Sequence, residues 1–327
     1  MKEILTWLGI LAIVLVFPMS YSTTTDSTPA LNEPASSTIS SSVAKNYVDS
    51  ISNESMCNLS AEASVGVVKE LFSFFMPINN NSVSGWIHVY ENSLPDGFTY
   101  DLWVNKYDPM TYTLVYAGTD QFIDTKQYIS MEVDENFSSQ MSEAIKAAKN
   151  ITAMIEHKKE RAKNPDAFGT VNNLFITGHS LGGYLASFVA SELVDSSLGQ
   201  TSRISTSDIG PNLTISNLKC ITFGAPGMYY TGTFPAVPLT SWQERKVAND
   251  KQGKYDQYIV QYVNSLDPVG NLFPKLLQHI GVRVYLEVKK TAASTTMVFF
   301  MKLPPTYFVG FGASIYYHMP WVYIPLL

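Results

Sequence analysis

Charge and cysteine are both scarce in this chain. Charged residues make up 15% of its 327 positions, against about 25% in an average soluble protein. The 22 Lys and Arg are outnumbered by 28 Asp and Glu, for a net charge of −6. Nucleic-acid binding is driven by Lys and Arg that neutralise phosphates, so no nucleic-acid partner is expected. Only two cysteines occur, Cys57 and Cys220. A disulfide between them and burial as two free thiols both fit, since Cys220 opens an apolar run, Cys220-Ile221-Thr222-Phe223, that reads as an interior strand. No group of Cys, His and Asp has metal-ligand spacing along the sequence, so neither a metal nor an organic cofactor is expected. The apolar run from Ile4 to Phe17 has 14 residues, short of the roughly 20 that span a bilayer as a helix.

That run follows Met1-Lys2-Glu3, ends at Pro18 and is succeeded by the small residues of Ser20-Tyr21-Ser22. Residues 1–22 therefore read as a secretory signal peptide, with an uncleaved signal anchor as the competing reading because the basic segment is weak. Six Asn-x-Ser/Thr sequons, at Asn53, Asn58, Asn80, Asn136, Asn150 and Asn212, agree with export as a glycoprotein. The expected location is outside the cell or in the secretory lumen, with no permanent membrane span after signal cleavage. Residues 23–45 are rich in Ser, Thr and Pro without hydrophobic period and read as a flexible segment. Residues 46–327 then form one domain, and a hydrophobic fraction of 46% is enough to fill a large core.

Within that domain the periods alternate. Helical spacing runs from Ala61 to Phe75; strand-like runs follow at Phe98–Val104 and Tyr112–Tyr116. Met141, Ile145, Ala148, Ile151 and Ile155 recur at steps of three and four, predicting one long helix from Ser138 to Arg161. The charges Lys158, Lys159, Glu160 and Arg161 read as its solvated end. Leu174–Thr177 is a strand, Leu181–Val194 a helix, and Ile221–Phe223 and Tyr258–Val263 are strands. Strands alternating with helices imply an α/β protein with a mostly parallel central sheet and helices on both faces.

The most informative stretch is Gly178-His179-Ser180-Leu181-Gly182-Gly183. It fits G-x-S-x-G and lies between an expected strand and an expected helix, the setting of the nucleophile turn of the α/β-hydrolase fold. A serine on such a turn projects its hydroxyl from the sheet edge, the glycines leave room for the sharp bend, and the helix directs its positive end at the reacting centre. The N–H of Leu181 then faces the substrate oxygen. No Lys follows the glycines, which sets a phosphate-binding loop aside. A serine nucleophile requires a base and an orienting carboxylate, in the chain order Ser, Asp or Glu, His. Of the five histidines, His88 and His157 precede the serine and His179 lies inside the turn. His279 and His318 remain.

Together with other ordered motifs, this stretch resembles the class 3 lipases, the family of fungal triacylglycerol lipases and plant phospholipase A1-like enzymes, over about Leu94 to Tyr323. Leu94-Pro95-Asp96-Gly97-Phe98 is similar to the family's segment before its first strands. Tyr116-Ala117-Gly118-Thr119 is similar to its F-R-G-T/S, whose last residue helps form the oxyanion hole. Phe223-Gly224-Ala225-Pro226 matches the strand end beyond the nucleophile, and Asp267-Pro268-Val269 resembles the stretch that carries the triad aspartate. Gln278-His279-Ile280-Gly281 is similar to a structural histidine segment, whereas His318-Met319-Pro320-Trp321-Val322-Tyr323 resembles the C-terminal segment that carries the catalytic base. The resemblance thus implies a Ser180–Asp267–His318 triad, with oxyanion donors at Thr119 and Leu181. Three departures stand out. Ala117 replaces the family's arginine, Gly227-Met228-Tyr229-Tyr230 replaces R-V-G-N, and Gly270-Asn271-Leu272-Phe273-Pro274 replaces a proline-rich stretch.

The implied activity is hydrolysis of carboxylic esters of lipids, acylglycerols foremost, at a lipid–water interface. A phospholipase A1, a short-chain carboxylesterase and an inactive binding protein on the same scaffold are the alternatives. Residues 120–133 stand where fungal members carry a lid, and their mixed composition suits an amphipathic lid or an ordinary packed helix. The tail from Leu303 to Leu327 lacks Asp, Glu, Lys and Arg and is broken by Pro304, Pro305, Pro320 and Pro325. It suits the core or an acyl-chain pocket.

Overall fold

The computed structural model describes residues 53–63, 83, 85–93, 98–118, 139–230, 241–264, 267 and 277–286. Helix α1 (Asn53–Ala63) precedes strands β1 (Trp86–Ser93), β2 (Thr99–Asn105) and β3 (Thr111–Tyr116). Helices α2 (Ser139–Lys149) and α3 (Ile151–Arg161) come before β4 (Asn173–His179) and α4 (Leu181–Ser197). The order continues through α5 (Thr206–Ile209), β5 (Leu218–Phe223), β6 (Tyr229–Tyr230), α6 (Ser241–Lys251), β7 (Ile259–Asn264), β8 (Leu277–Gln278) and β9 (Val282–Leu286). Among the described residues seven strands make one sheet in the order β1-β2-β3-β4-β5-β7-β9. The β1, β2 and β3 pairings are antiparallel; from β3 to β9 every pairing is parallel.

Apolar residues on both sides of the central strands explain the layering. All of β3 is buried, as is β4 after Asn173, the pattern of a parallel strand covered on both faces. One face carries Leu102, Leu114, Tyr116, Leu174 and Ile176, packed with α2, α3 and α4 residues in the larger apolar cluster. The other carries Trp103, Val115, Phe175, Ile221 and Phe223, packed with Met56, Cys57 and Leu59 of α1. Met56, Leu59 and Ser60 share one face of α1 at steps of three and four, and the Ser60 hydroxyl lies 2.9 Å from that of Thr177 on β4. Cys57 and Cys220 are buried thiols that form no disulfide with each other, which sets the disulfide reading aside, and burial pushes the Cys220 thiol well above its ordinary pKa. Among the described residues no helix is long and apolar enough to cross a membrane.

The strands expected from Phe98, Tyr112, Leu174, Ile221 and Tyr258 onward are present as β2, β3, β4, β5 and β7, with ends shifted by at most three residues. The helix expected over Ser138–Arg161 is instead two helices separated at Asn150. There φ is −89° and ψ is 0°, the geometry of a tightened turn. The Asn150 N–H donates to the carbonyls of both Lys146 and Ala147, and its own carbonyl accepts from Met154 N–H. The hydrogen-bond ladder thus crosses the break almost intact. For that reason Met141, Ile145, Ala148, Ile151 and Ile155 all remain buried on one side. Asparagine, a poor interior helix residue, tolerates this kink. The helical spacing of Ala61–Phe75 lies outside the described residues beyond Ala63, as do residues 1–22 and 23–45.

A buried charged cluster fastens α6 to the far end of α4. Lys246 is fully buried, its Nζ 2.6 Å from Asp195 Oδ2 and 3.0 Å from Glu192 Oε1. The hydroxyl of Tyr255 donates to Asp195 Oδ1 at 2.7 Å and the Asn249 amide donates to the same oxygen at 2.9 Å. Arg203 Nη1 reaches Glu192 Oε2 at 3.2 Å. Burial pushes the Glu192 carboxyl up, yet Lys246 and Arg203 outweigh it and hold the group below its ordinary 4.5. Its stabilising contribution is therefore present above that pH and lost as pH falls through the lowered value. Removing one partner of such a buried set is strongly destabilising, by about 3–5 kcal/mol. Lys246→Met should lower the unfolding free energy by that order in urea titrations at pH 7. The difference from wild type should shrink as the pH is taken below the ordinary 4.5. Glu160→Gln on the exposed end of α3 should change stability by less than about 0.5 kcal/mol.

Candidate active site

The turn between β4 and α4 is built around a single strained residue. Among the described residues Ser180 is the only non-glycine with positive φ, at φ 56° and ψ −128°. Its N–H donates to Phe223 O on β5 at 3.0 Å, and its carbonyl accepts from Tyr184 N–H at 3.1 Å to begin α4. Backbone bonds on both sides therefore impose the angles. The serine is the only half-buried residue between buried His179 and buried Leu181, and its side chain makes no cap bond to the helix. The hydroxyl is thereby left to project at the sheet edge.

Close backbone approach accounts for the flanking glycines. A methyl group added at Gly182 would run into the carbonyl oxygens of Tyr116 and Ala117 at the end of β3, and one at Gly178 would run into Gly182. At Gly183 it would stand 2.8 Å from Ala225 Cβ. The first turn of α4 can thus lie directly on the ends of β3 and β5. The positive end of the helix is aimed at Ser180, and the N–H of Leu181, in the first turn, belongs to the donors that have no partner within the helix.

Beside Ser180 runs the end of β3. A methyl added at Gly118 would lie 3.5 Å from Ser180 Cβ and 3.0 Å from His179 O, so Gly118 lies against the turn. Ala117 N–H donates to Thr99 O at 3.0 Å, and its methyl is buried in the α1-side cluster with Val115 and Phe223. A guanidinium at this position would be buried there, which explains why the departure to alanine fits. Gly227-Met228-Tyr229-Tyr230, the second departure, is also accounted for. Met228 N–H donates to Gln278 O at 2.7 Å, and β6 pairs with β8, Tyr229 opposite Gln278 and Tyr230 opposite Leu277.

Asp267 lies three residues beyond β7, 1% exposed, its N–H donating to Asn264 O at 2.9 Å. The ends of β3, β4 and β7 thus deliver Gly118, Ser180 and Asp267 to the same carboxyl edge of the parallel strands, where open α/β sheets bind their ligands. One strand, β5, separates β4 from β7, a lateral distance of about 10 Å across two strand spacings. His279 is bonded to β7: its Nδ1 lies 2.6 Å from Gln261 Oε1, and Gln261 Nε2 donates to Ile280 O at 2.7 Å. With the amide so oriented, Oε1 is the acceptor and Nδ1 carries the proton. Thr119, His318, the 120–133 segment and the 303–327 tail lie outside the described residues. The role of Gln261 in fixing His279 was not signalled by sequence, because the two are brought together only by the β7–β9 crossing.

The sequence profile of the Lipase (class 3) family matches residues 112–276. No curated protein matches the chain. Among solved structures, the chain is similar to the Rhizomucor miehei lipase propeptide complex, at 16% identity and a TM-score of 0.39, with 71% of this chain and 66% of that chain covered. It thus spans just under two thirds of that protein's length. It is also similar to lipase II from Rhizopus niveus, at 16% identity and a TM-score of 0.43 over 71% of this chain and 78% of that one. For the lipase from Rhizopus microsporus var. chinensis the figures are 14% and 0.42, over 77% of each chain. The profile match takes in half of the chain, including the strained serine turn and Asp267 at the sheet edge, and the protein therefore belongs to the class 3 lipases, a family of carboxylic ester hydrolases.

Proposed function

We propose that this protein is a secreted serine esterase that hydrolyses carboxylic ester bonds of lipids, acylglycerols foremost. The observation that carries the reading is Ser180, a half-buried serine on a positive-φ turn at the carboxyl edge of the parallel strands. His318 takes the Ser180 proton as Oγ attacks the ester carbonyl, and Asp267 fixes the imidazole tautomer and stabilises its positive charge. The N–H groups of Leu181 and Thr119, with the Thr119 hydroxyl, receive the oxyanion, each donor worth about 3–4 kcal/mol of barrier. The alcohol leaves with the proton from His318, and water releases the acid from the acyl-enzyme. Assignment of the base to His318 is supported by the state of His279, whose Nδ1 proton is directed at Gln261. In a triad that proton is directed at the carboxylate. Export is supported by residues 1–22 and by the exposure of the sequon residues Asn150 and Asn212. Asn53, by contrast, is half-buried, its amide donating to Tyr262 Oη at 2.7 Å.

Hydrolysis of long-chain triacylglycerol, phospholipid and short soluble esters by wild type and Ser180→Ala tests the proposal. Wild type should release acid from triacylglycerol fastest and Ser180→Ala should lose activity while remaining folded. Activity confined to phospholipid or to short esters would move the substrate to phospholipase A1 or carboxylesterase chemistry. Equal activity of wild type and Ser180→Ala would refute the nucleophile. His318→Ala should be far less active than His279→Ala; the reverse order would reassign the base.

Strain at the nucleophile adds an independent expectation. A non-glycine residue held in a sparsely populated backbone region costs about 1–3 kcal/mol, partly offset in a glycine variant by the greater freedom of its unfolded chain. Ser180→Gly should therefore be inactive yet about 1 kcal/mol more stable than Ser180→Ala in urea unfolding. Equal stabilities would show that the turn stores no strain.

A further inference from the structure

At the β1 edge of the sheet, on the face that carries α1, three ligand-bearing side chains converge. His88 and Glu91 come from β1 and Asp101 from β2, and one ligand atom of each lies within 4.8 Å of the others. Linear spacing gives no hint of this. Residues 88 and 91 of a regular strand point to opposite faces. Here the register slips between His88 and Tyr90, so that His88 stands opposite Trp103 while Glu91 stands opposite Asp101. Trp103 and Asp101 share a face, and the bulge therefore turns His88 onto the side already occupied by Glu91. Re-aiming a side chain is a recurrent use of such bulges. The His88 ring is held edge-on to Trp103, centroids 4.7 Å apart.

Among the described residues no Lys or Arg is ion-paired with either carboxylate of the cluster. Two carboxylates directly opposite each other across an antiparallel pair repel, and one of them, Asp101, is 6% exposed. No hydrogen-bond donor among the described residues reaches its buried Oδ1. The basic group beside it among the described residues, His88 Nε2, is 3.6 Å away, beyond hydrogen-bond reach. That distance is the one a metal ion would set: two ligands each about 2.1 Å from a tetrahedral zinc stand about 3.4 Å apart. One imidazole with two carboxylates is a donor set suited to zinc and its transition-metal neighbours, whereas calcium and magnesium favour all-oxygen sets.

We propose that His88, Glu91 and Asp101 bind a divalent zinc-class cation with one coordination position left to solvent. Asp101 is level with Val115 on β3 and with Thr177 on β4, which places the site about 10 Å from the nucleophile strand across two strand spacings. The cation ties the edge strand β1 to β2 and neutralises the carboxylate pair. The site stands independently of the esterase reading.

Zinc chloride titrated into the EDTA-treated full-length protein in a calorimeter, with thermal unfolding measured alongside, tests the assignment. Wild type should take up one equivalent and melt higher with zinc than without, since a ligand of the folded state stabilises it. Glu91→Gln and His88→Gln should each bind at least about tenfold more weakly and lose the zinc-dependent rise. The metal-free Glu91→Gln protein should melt no lower than metal-free wild type, because the carboxylate repulsion is gone. No uptake by wild type, unchanged uptake in both variants, or weakening in only one of them would overturn the three-ligand site.

Discussion

One steric constraint organises this molecule: the first turn of α4 must lie in contact with the ends of β3 and β5 while a serine is held at positive φ between them. Glycine at 178, 182 and 183 is what lets backbone meet backbone there. The hydrogen bonds from Ser180 N–H to β5 and from Tyr184 N–H to the Ser180 carbonyl hold the unfavourable angles in place. A serine in an ordinary helix N-terminus would turn its hydroxyl onto the helix as a cap. Here the conformation denies it that bond and presents it at the sheet edge.

The rest of the fold serves to keep that turn fixed. The parallel strands end together, so residues far apart in the chain, Gly118, Ser180 and Asp267, reach one edge. Helix α4 is held at both ends, at its start by the glycine contacts and near its other end by Lys246 between Glu192 and Asp195. Eleven residues separate Leu181 from Glu192, about 16 Å along a helix, so the charged cluster acts on the scaffold and not on the reacting atoms. Functional groups supported by rigid elements hold their geometry better than groups on loops.

Legibility in the sequence followed burial. Strands β2 to β5 and β7, covered on both faces, were readable as apolar runs, and the strand–turn–helix setting of Ser180 followed from them. Edge strand β9, half-buried and exposed in alternation, left too weak a pattern. Strand β1 was obscured by its bulge. Helix α6 was invisible for a different reason: its inward face is made of Gln243, Lys246 and Asn249 as well as Trp242, and the polar partners of Lys246 and Asn249, Glu192 and Asp195 among them, come from outside the helix. The kink at Asn150 went unread because it leaves the apolar face in register. Of the candidate site residues, Ser180 and Leu181 followed from the G-x-S-x-G turn and Asp267 from the family resemblance. The Gln261–His279 bond and the His88–Glu91–Asp101 cluster depend on strand neighbours and register, which no linear spacing encodes.

The account turns on a reactive hydroxyl at position 180. Treating the folded protein with a fluorophosphonate and locating the adduct by peptide mass spectrometry addresses this directly. A single phosphonyl group on Ser180, absent after heat unfolding before treatment, is the expected result. A folded protein that remains unlabelled, or one labelled at another residue with Ser180 unmodified, would contradict it.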